Sequence, residues 1–332
     1  MSPRFSIIIP VFNRPDELDE LLQSLAAIGN PLVEVIVVED GSTVPADQII
    51  EKHKNQLPQL VYHQTENQGP GPARNTGAAL AKGEWLIFFD SDCIIPAHYF
   101  DALGQYLEAY DADCFGGPDR AHPDFTIIQK AISYAMTSIL TTGGIRGNKK
   151  SMEKFKPRSY NLGIKREVFE KLNGFSNLRF GEDMDLSLRL EKAGFRNALF
   201  EECWVYHKRR TQLKQFYKQV FNSGMARIVL EKRHPGTTKL VHWLPAAFLG
   251  GLIFSLLAFW PLSPLYVRLY GLYACAVLAH ATILNGSLLV GFNAVLTSYT
   301  QLIGYGAGFF YGWWKVRIKG EEAFAFRDNF YE

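Results

Sequence analysis

Four short apolar runs constrain the first 90 residues more than any other feature. FSIIIPVF, VEVIVVED, LVYHQ and EWLIFFD begin at Phe5, Val33, Leu60 and Glu84. Runs of this length without polar alternation read as strands buried on both faces. Between the first two, Leu18, Leu21, Leu22, Leu25 and Ile28 recur at helical spacing. Asn13 is expected to cap that helix, with Pro15 in its first turn and Gly29 at its end. A second helix is expected around 46–54, and a third in the small-residue stretch GPARNTGAALAKG. Strands alternating with helices give an α/β fold whose sheet is parallel here and covered on both faces.

In such sheets, ligands sit beyond the carboxyl ends of the strands. Three strand ends are polar: Pro10-Val11-Phe12-Asn13, Glu39-Asp40-Gly41-Ser42 and Asp90-Ser91-Asp92. Turn chemistry explains one such end; three at one edge indicate a site. In an extended chain, side chains two apart point the same way, so Asp90 and Asp92 are expected to converge. Two carboxylates held together without a partner repel, and one takes up a proton. A divalent cation removes that conflict, and hard carboxylate oxygens suit Mg2+ or Mn2+.

Several classes are excluded. The 35 basic and 33 acidic residues, net +2, are too balanced for a nucleic-acid partner. The four cysteines form no C-x-x-C pair, which fits a reducing compartment. GPGPARNTG has Arg74 where a dinucleotide loop needs its third glycine, and it follows the third strand instead of the first. No G-x-x-x-x-G-K-[ST] is present. MSPRFSIIIP lacks the long apolar core of a secretory signal, so the N-terminal part is expected to stay in the cytoplasm.

SIIIPVFNR, VVEDGS, NQGPGPARNTG, FFDSDC, NLGIKREVFEKLNGF and FGEDMDLSLRLEKAGF occur in that order. Over about Phe5 to Lys239 this set resembles the inverting family 2 glycosyltransferases, which have a GT-A fold. The resemblance implies that Pro10, Phe12 and Asn13 border a nucleotide base and that Asp40 accepts a hydrogen bond from it. Glu39 stands where the family usually has Asp. Arg74 and Asn75 would lie near ribose and phosphate. Asp90 and Asp92 are the D-x-D pair, with Asp92 the direct metal ligand. A Mg2+ or Mn2+ ion there would stabilise the leaving diphosphate.

In GEDMDLSLRLEKAGF, the acids Glu182, Asp183 and Asp185 fall in the first turn of a helix, where the dipole alone favours them. The resemblance assigns the general base to Asp183, with Glu182 as runner-up. It also places Asn161 close to donor and acceptor, and matches His207 to a histidine that completes the metal or diphosphate site. A lone histidine is as often structural. Gly116, Gly117 and Pro118 read as a plain turn or as backbone close to the donor sugar.

The last third differs in kind. From Leu240 to Trp314 there is no acidic residue and, besides histidine, one basic residue, Arg268. HWLPAAFLGGLIFSLLAFWPL, LYGLYACAVLAHATIL and LLVGFNAVLTSYTQLIGYGAGFFYGWW are candidate spans, and Trp243, Trp260, Trp313 and Trp314 lie at their edges as interface anchors do. Basic residues from Lys208 to Lys239 favour an anionic leaflet. An even number of spans keeps the basic residues 315–319 on the cytoplasmic side. The expected organisation is a catalytic domain at 1–239, a membrane region of two to four transmembrane helices at 240–314, and a charged tail at 315–332.

Similar tails occur in membrane-bound transferases of exopolysaccharide assembly. The resemblance thus implies a nucleotide-sugar donor, UDP before GDP, a lipid-linked saccharide acceptor and contact with membrane lipid. The location would be the inner membrane, catalytic domain on the cytoplasmic side. The Q-x-x-R-W motif of processive synthases is absent from the sequence, so one sugar per encounter is expected. The rival readings are a polyprenyl-phosphate sugar synthase and a nucleotide-sugar-binding scaffold without turnover.

Overall fold

The computed structural model describes residues 3–143, 155–257 and 263–321. Trp260 and residues 322–332 of the charged tail lie outside them. The chain divides into two compact units.

Described residues 3–122 and 155–208 form the first unit. Its elements are β1 (Phe5–Val11), α1 (Pro15–Ile28), β2 (Val33–Asp40), α2 (Asp47–His53), β3 (Leu60–Thr65), α3 (Pro70–Leu80), β4 (Trp85–Phe89), β5 (Cys93–Ile94), α4 (Tyr99–Ala109), β6 (Cys114–Gly116) and β7 (Asp119–Arg120). After the second unit's α5 (Ile127–Thr137) and α6 (Ile139–Thr142) come β8 (Asn161–Lys165), α7 (Arg166–Lys171), α8 (Glu182–Lys192), β9 (Asn197–Leu199) and β10 (Val205–His207). The main sheet runs β3-β2-β1-β4-β8-β6-β9. The four predicted strands are mutually parallel. β8 then runs antiparallel to β4 and β6, so the sheet is mixed, as in a GT-A fold.

The apolar runs segregate by parity because successive residues face opposite sides. Ile7, Ile9, Val35, Val37, Ile87 and Phe89 pack with Leu18, Leu21 and Leu22 of α1. Ile8, Ile36, Val38, Leu86 and Phe88 pack with Leu186 and Leu190 of α8 on the other side. Each such side chain contributes about 1.5–3 kcal/mol.

Pro15 opens α1, and Gly29 closes it with a left-handed turn. Asn13 does not cap it. Its backbone sits at φ 54°, and its Oδ1 accepts from the amides of Thr43 and Val44 at 2.8 and 2.9 Å. It ties the β1 end to the loop after β2, and Arg14 holds the cap position.

Described residues 123–143 and 209–321 form the second unit. Besides α5 and α6 it contains α9 (Leu213–Arg233), α10 (Leu240–Leu257), α11 (Ser263–Asn285), α12 (Leu288–Trp313) and a wider helical turn at Trp314–Ile318. α12 packs against α5, α9, α10 and α11. Its small residues permit this: a Cβ on Gly308 would lie 1.9 Å from the Phe221 carbonyl oxygen on α9. Thr297 donates to the Ala131 carbonyl, and Tyr134 meets His280 Nδ1 at 2.8 Å. Of the three expected spans, Pro264–Asn285 in α11 is long and apolar enough to cross a membrane. Leu240–Ser255 is apolar over a shorter length.

Candidate active site

The β1–β2 and β1–β4 registers align Val11 with Glu39 and Ile8 with Phe88, and β8 sets Asn161 opposite Phe89. Asn13, Asp40, Asp90 and Asn161 therefore stand at one edge of the sheet, as the strand pattern requires. Asp90 and Asp92 each meet a cationic side chain. Asp90 receives Arg74 Nη2 at 2.6 Å, and Asp92 receives Arg14 Nη1 at 2.7 Å on Oδ2. His207 Nε2 lies 3.1 Å from Asp92 Oδ1. Separate cations thus relieve the repulsion expected between the two carboxylates.

A three-stranded sheet brings His207 to that position. β10 pairs with β5 so that His207 is opposite Cys93, and the Lys208 amide donates to the Asp92 carbonyl at 3.0 Å. β7 flanks β10 on its other side, placing Asp119 beside Val205. Tyr160 stacks on the imidazole, ring centroids 4.8 Å apart. Asp92, Cys93 and His207 bring one potential ligand atom each within 4.8 Å of one another. The carboxylate and imidazole fit a Mg2+ or Mn2+ ion. Cys93 does not: burial pushes its thiol pKa well up, and Sγ is directed at the Tyr160 carbonyl.

Arg74 joins the two acidic motifs. It is 3% exposed on α3; Nη2 reaches Asp90, and Nη1 reaches Glu182 Oε1 at 2.8 Å. Burial raises the Glu182 pKa to about 7; Arg74 opposes that rise, and the Asp183 charge adds to it. Asp183 differs from its neighbour. Its Oδ1 accepts from the Met184 amide, and its Oδ2 lies 3.6 Å from Arg158 Nη1, an ion-pair distance. Its side chain is 14% exposed against 8% for Glu182. Arg158 thus stands farther from Asp183 than Arg74 does from Glu182, 3.6 Å against 2.8 Å.

Other expected donor residues have partners within the protein. Asp40 accepts the amides of Gln68 and Gly69 at 2.8 and 2.9 Å, and burial raises its pKa against those bonds. Glu39 accepts from Ser42, from the Ala46 amide at 2.9 Å and from Tyr62 at 3.1 Å. Asn75 clamps both backbone groups of Phe175, each at 2.8 Å. Fully buried Asn161 donates to the Cys203 carbonyl and accepts from Tyr99, both at 2.7 Å. Gly117 provides close approach, but to protein: a Cβ there would lie 1.7 Å from the Cys203 carbonyl oxygen. Pro10 and Phe12 are half-buried at the β1 end.

Sequence reasoning missed Arg14, Asp119, Tyr160 and Arg158. Arg14 follows the noted Asn13 within SIIIPVFNR, so proximity to a strand end was the available signal. Asp119 follows GGP, and its role depends on a sheet of two- and three-residue strands that leave no periodic trace.

Comparison with known families matches the chain to "Glycosyl transferase family 2" over residues 6–172. The chain is 31% identical over 198 residues to an uncharacterized glycosyltransferase of Haemophilus influenzae, covering 56% of this chain and 61% of that protein. It is 24% identical over 245 residues to succinoglycan biosynthesis protein ExoA of Rhizobium meliloti, covering 73% and 74%. Among solved structures, the mannosyltransferase PcManGT from Pyrobaculum calidifontis, in complex with GDP-Man and Mn2+, superposes with a TM-score of 0.59 at 17% identity. That alignment covers 95% of this chain and 88% of the other, and it supports the fold.

Proposed function

The chain belongs to glycosyl transferase family 2, and from that premise we propose that it transfers a sugar, with inversion, from a nucleoside-diphosphate sugar to a lipid-linked saccharide. Asp183 takes the proton of the acceptor hydroxyl as that oxygen bonds to the anomeric carbon. The bond from that carbon to the diphosphate breaks, and its electron pair leaves with the diphosphate. Attack from the opposite face inverts the centre. A base needs an accessible carboxylate within reach of the proton it removes; Asp183 suits that better than buried Glu182.

The observation that carries this reading is the Asp90–Arg74–Glu182 line, which ties the D-x-D strand end to the helix bearing Asp183. Asp92 and His207 would hold a divalent cation, with Asp90 nearby. When bound, that ion would neutralise charge developing on the diphosphate. UDP is the proposed nucleotide.

A catalytic region over residues 1–239, followed by a hydrophobic region at 240–314, suits an acceptor carried in a membrane. The apolar α11 and the basic residues of α9 support contact with lipid at the cytoplasmic face. The resemblance to a succinoglycan biosynthesis protein supports a role in surface polysaccharide assembly.

The test is nucleotide release from a panel of UDP- and GDP-sugars by purified protein in detergent. Each is assayed with Mn2+ or Mg2+, with EDTA, and with Asp92→Ala. Metal-dependent release from one donor, lost in the variant, is expected. No release and no metal-dependent binding from any donor would overturn the reading.

A further inference from the structure

The two ring nitrogens of His207 face two different carboxylates. Nε2 is 3.1 Å from Asp92 Oδ1, and Nδ1 is 3.7 Å from Asp119 Oδ2. The second distance is an ion-pair contact about 0.5 Å beyond hydrogen-bond length. The Asp119 side chain is 1% exposed, and its other oxygen accepts from Tyr160 Oη at 3.2 Å. Tyr160 also stacks on the imidazole at 22°. One tyrosine thus fixes the ring plane of His207 and holds the carboxylate beside its edge.

We infer that Asp119 is a positioning residue: it keeps the His207 proton on Nδ1 and leaves the Nε2 lone pair directed toward the Asp92 side. A carboxylate behind a ligating histidine sets its tautomer and orientation and raises its basicity. This rests on the proposal that His207 holds the cation. It adds a role for Asp119, which the strand register supports independently. β7 lies parallel to β10 with Asp119 paired to Val205, two residues before His207, so the Asp119 and His207 side chains leave the same face of this sheet.

The test uses the full chain in detergent with Mn2+ alone. Affinity is read from the EPR signal of free Mn2+, and the ligand from 14N coupling to bound Mn2+ in pulsed EPR. Wild type is expected to show nitrogen coupling that His207→Gln abolishes. Asp119→Asn should weaken Mn2+ binding about 10- to 100-fold and alter the nitrogen coupling. Tyr160→Phe, which removes the hydroxyl that donates to Asp119, should weaken it by less. Absence of nitrogen coupling in wild type would remove His207 from the metal site, and the inference with it. Wild-type affinity and coupling in Asp119→Asn would overturn the inference alone, leaving His207 as a ligand. Should Asp119→Asn fail to fold by circular dichroism, Tyr160→Phe decides: unchanged Mn2+ affinity there overturns the inference.

Discussion

Glu39-Asp40 and Asp90-Ser91-Asp92 occupy equivalent places at the ends of neighbouring-region strands β2 and β4, yet their carboxylates meet different partners. Glu39 and Asp40 accept hydrogen bonds from the Ser42 and Tyr62 hydroxyls and from the amides of Ala46, Gln68 and Gly69. Asp90 and Asp92 instead meet Arg74, Arg14 and His207 from three separate elements or junctions. The bonds to Glu39 and Asp40 hold the loops that follow β2 and β3. Carboxylates held by cationic side chains can exchange those partners for a metal ion. Strand-end acids therefore divide by what they are bonded to, a distinction that spacing alone does not carry.

The largest predicted effect tests the second pair. Asp92→Asn should lower kcat about 10^2- to 10^3-fold while the melting temperature changes little, measured by donor turnover and thermal denaturation. A large loss of stability with normal turnover would put Asp92 in the same class as Asp40. Next, Asp183→Asn should lower kcat about 10^2-fold or more with KM for the donor nearly unchanged. Near-normal kcat would favour a lipid-phosphate acceptor, which needs little base catalysis.

The first pair should behave in the opposite way. Asp40→Asn removes an acceptor from the Gln68 and Gly69 amides, so stability should fall by about 1–3 kcal/mol. Turnover of the folded fraction should stay within about 3-fold, since an interaction outside the transition state leaves kcat intact. Urea unfolding and kcat measured together decide it. A collapse of donor affinity at unchanged stability would instead put Asp40 at the nucleotide base, as the family resemblance implies.

The strands, their parallel order and the acids at their ends were legible because apolar runs and turn residues are local signals. The identity of each acid's partner was not. Arg74 meets Glu182 across 108 residues of sequence, and Arg14 meets Asp92 across 78. Asn13 and Pro15 suggested a helix cap, yet the loop after β2 takes the Asn13 side chain. The hydrophobic third was plain in composition, whereas the grouping of α5 with it was not. That grouping depends on contacts such as Thr297 to Ala131, 166 residues apart.

Glu182 sharpens the comparison because it is buried like Asp40 and cation-held like Asp90. Its pKa is raised to about 7 from an ordinary 4.5, with burial the leading cause. Below pH 4.5 the carboxyl is protonated in both folded and unfolded chains and carries no penalty. Between 4.5 and 7 the unfolded chain releases the proton first, so stability falls as pH rises, by up to about 1.4 kcal/mol per unit. Above 7 both states are ionised, and the loss is complete. Glu182→Gln removes this titration while Oε1 still accepts from Arg74. Its stability curve, from urea unfolding at pH 5 to 8, should be flatter than wild type across that window. An equal slope in the two proteins would mean that Arg74 outweighs burial and keeps Glu182 ionised throughout. Glu182 would then stand with Asp90 as a carboxylate governed by its cation.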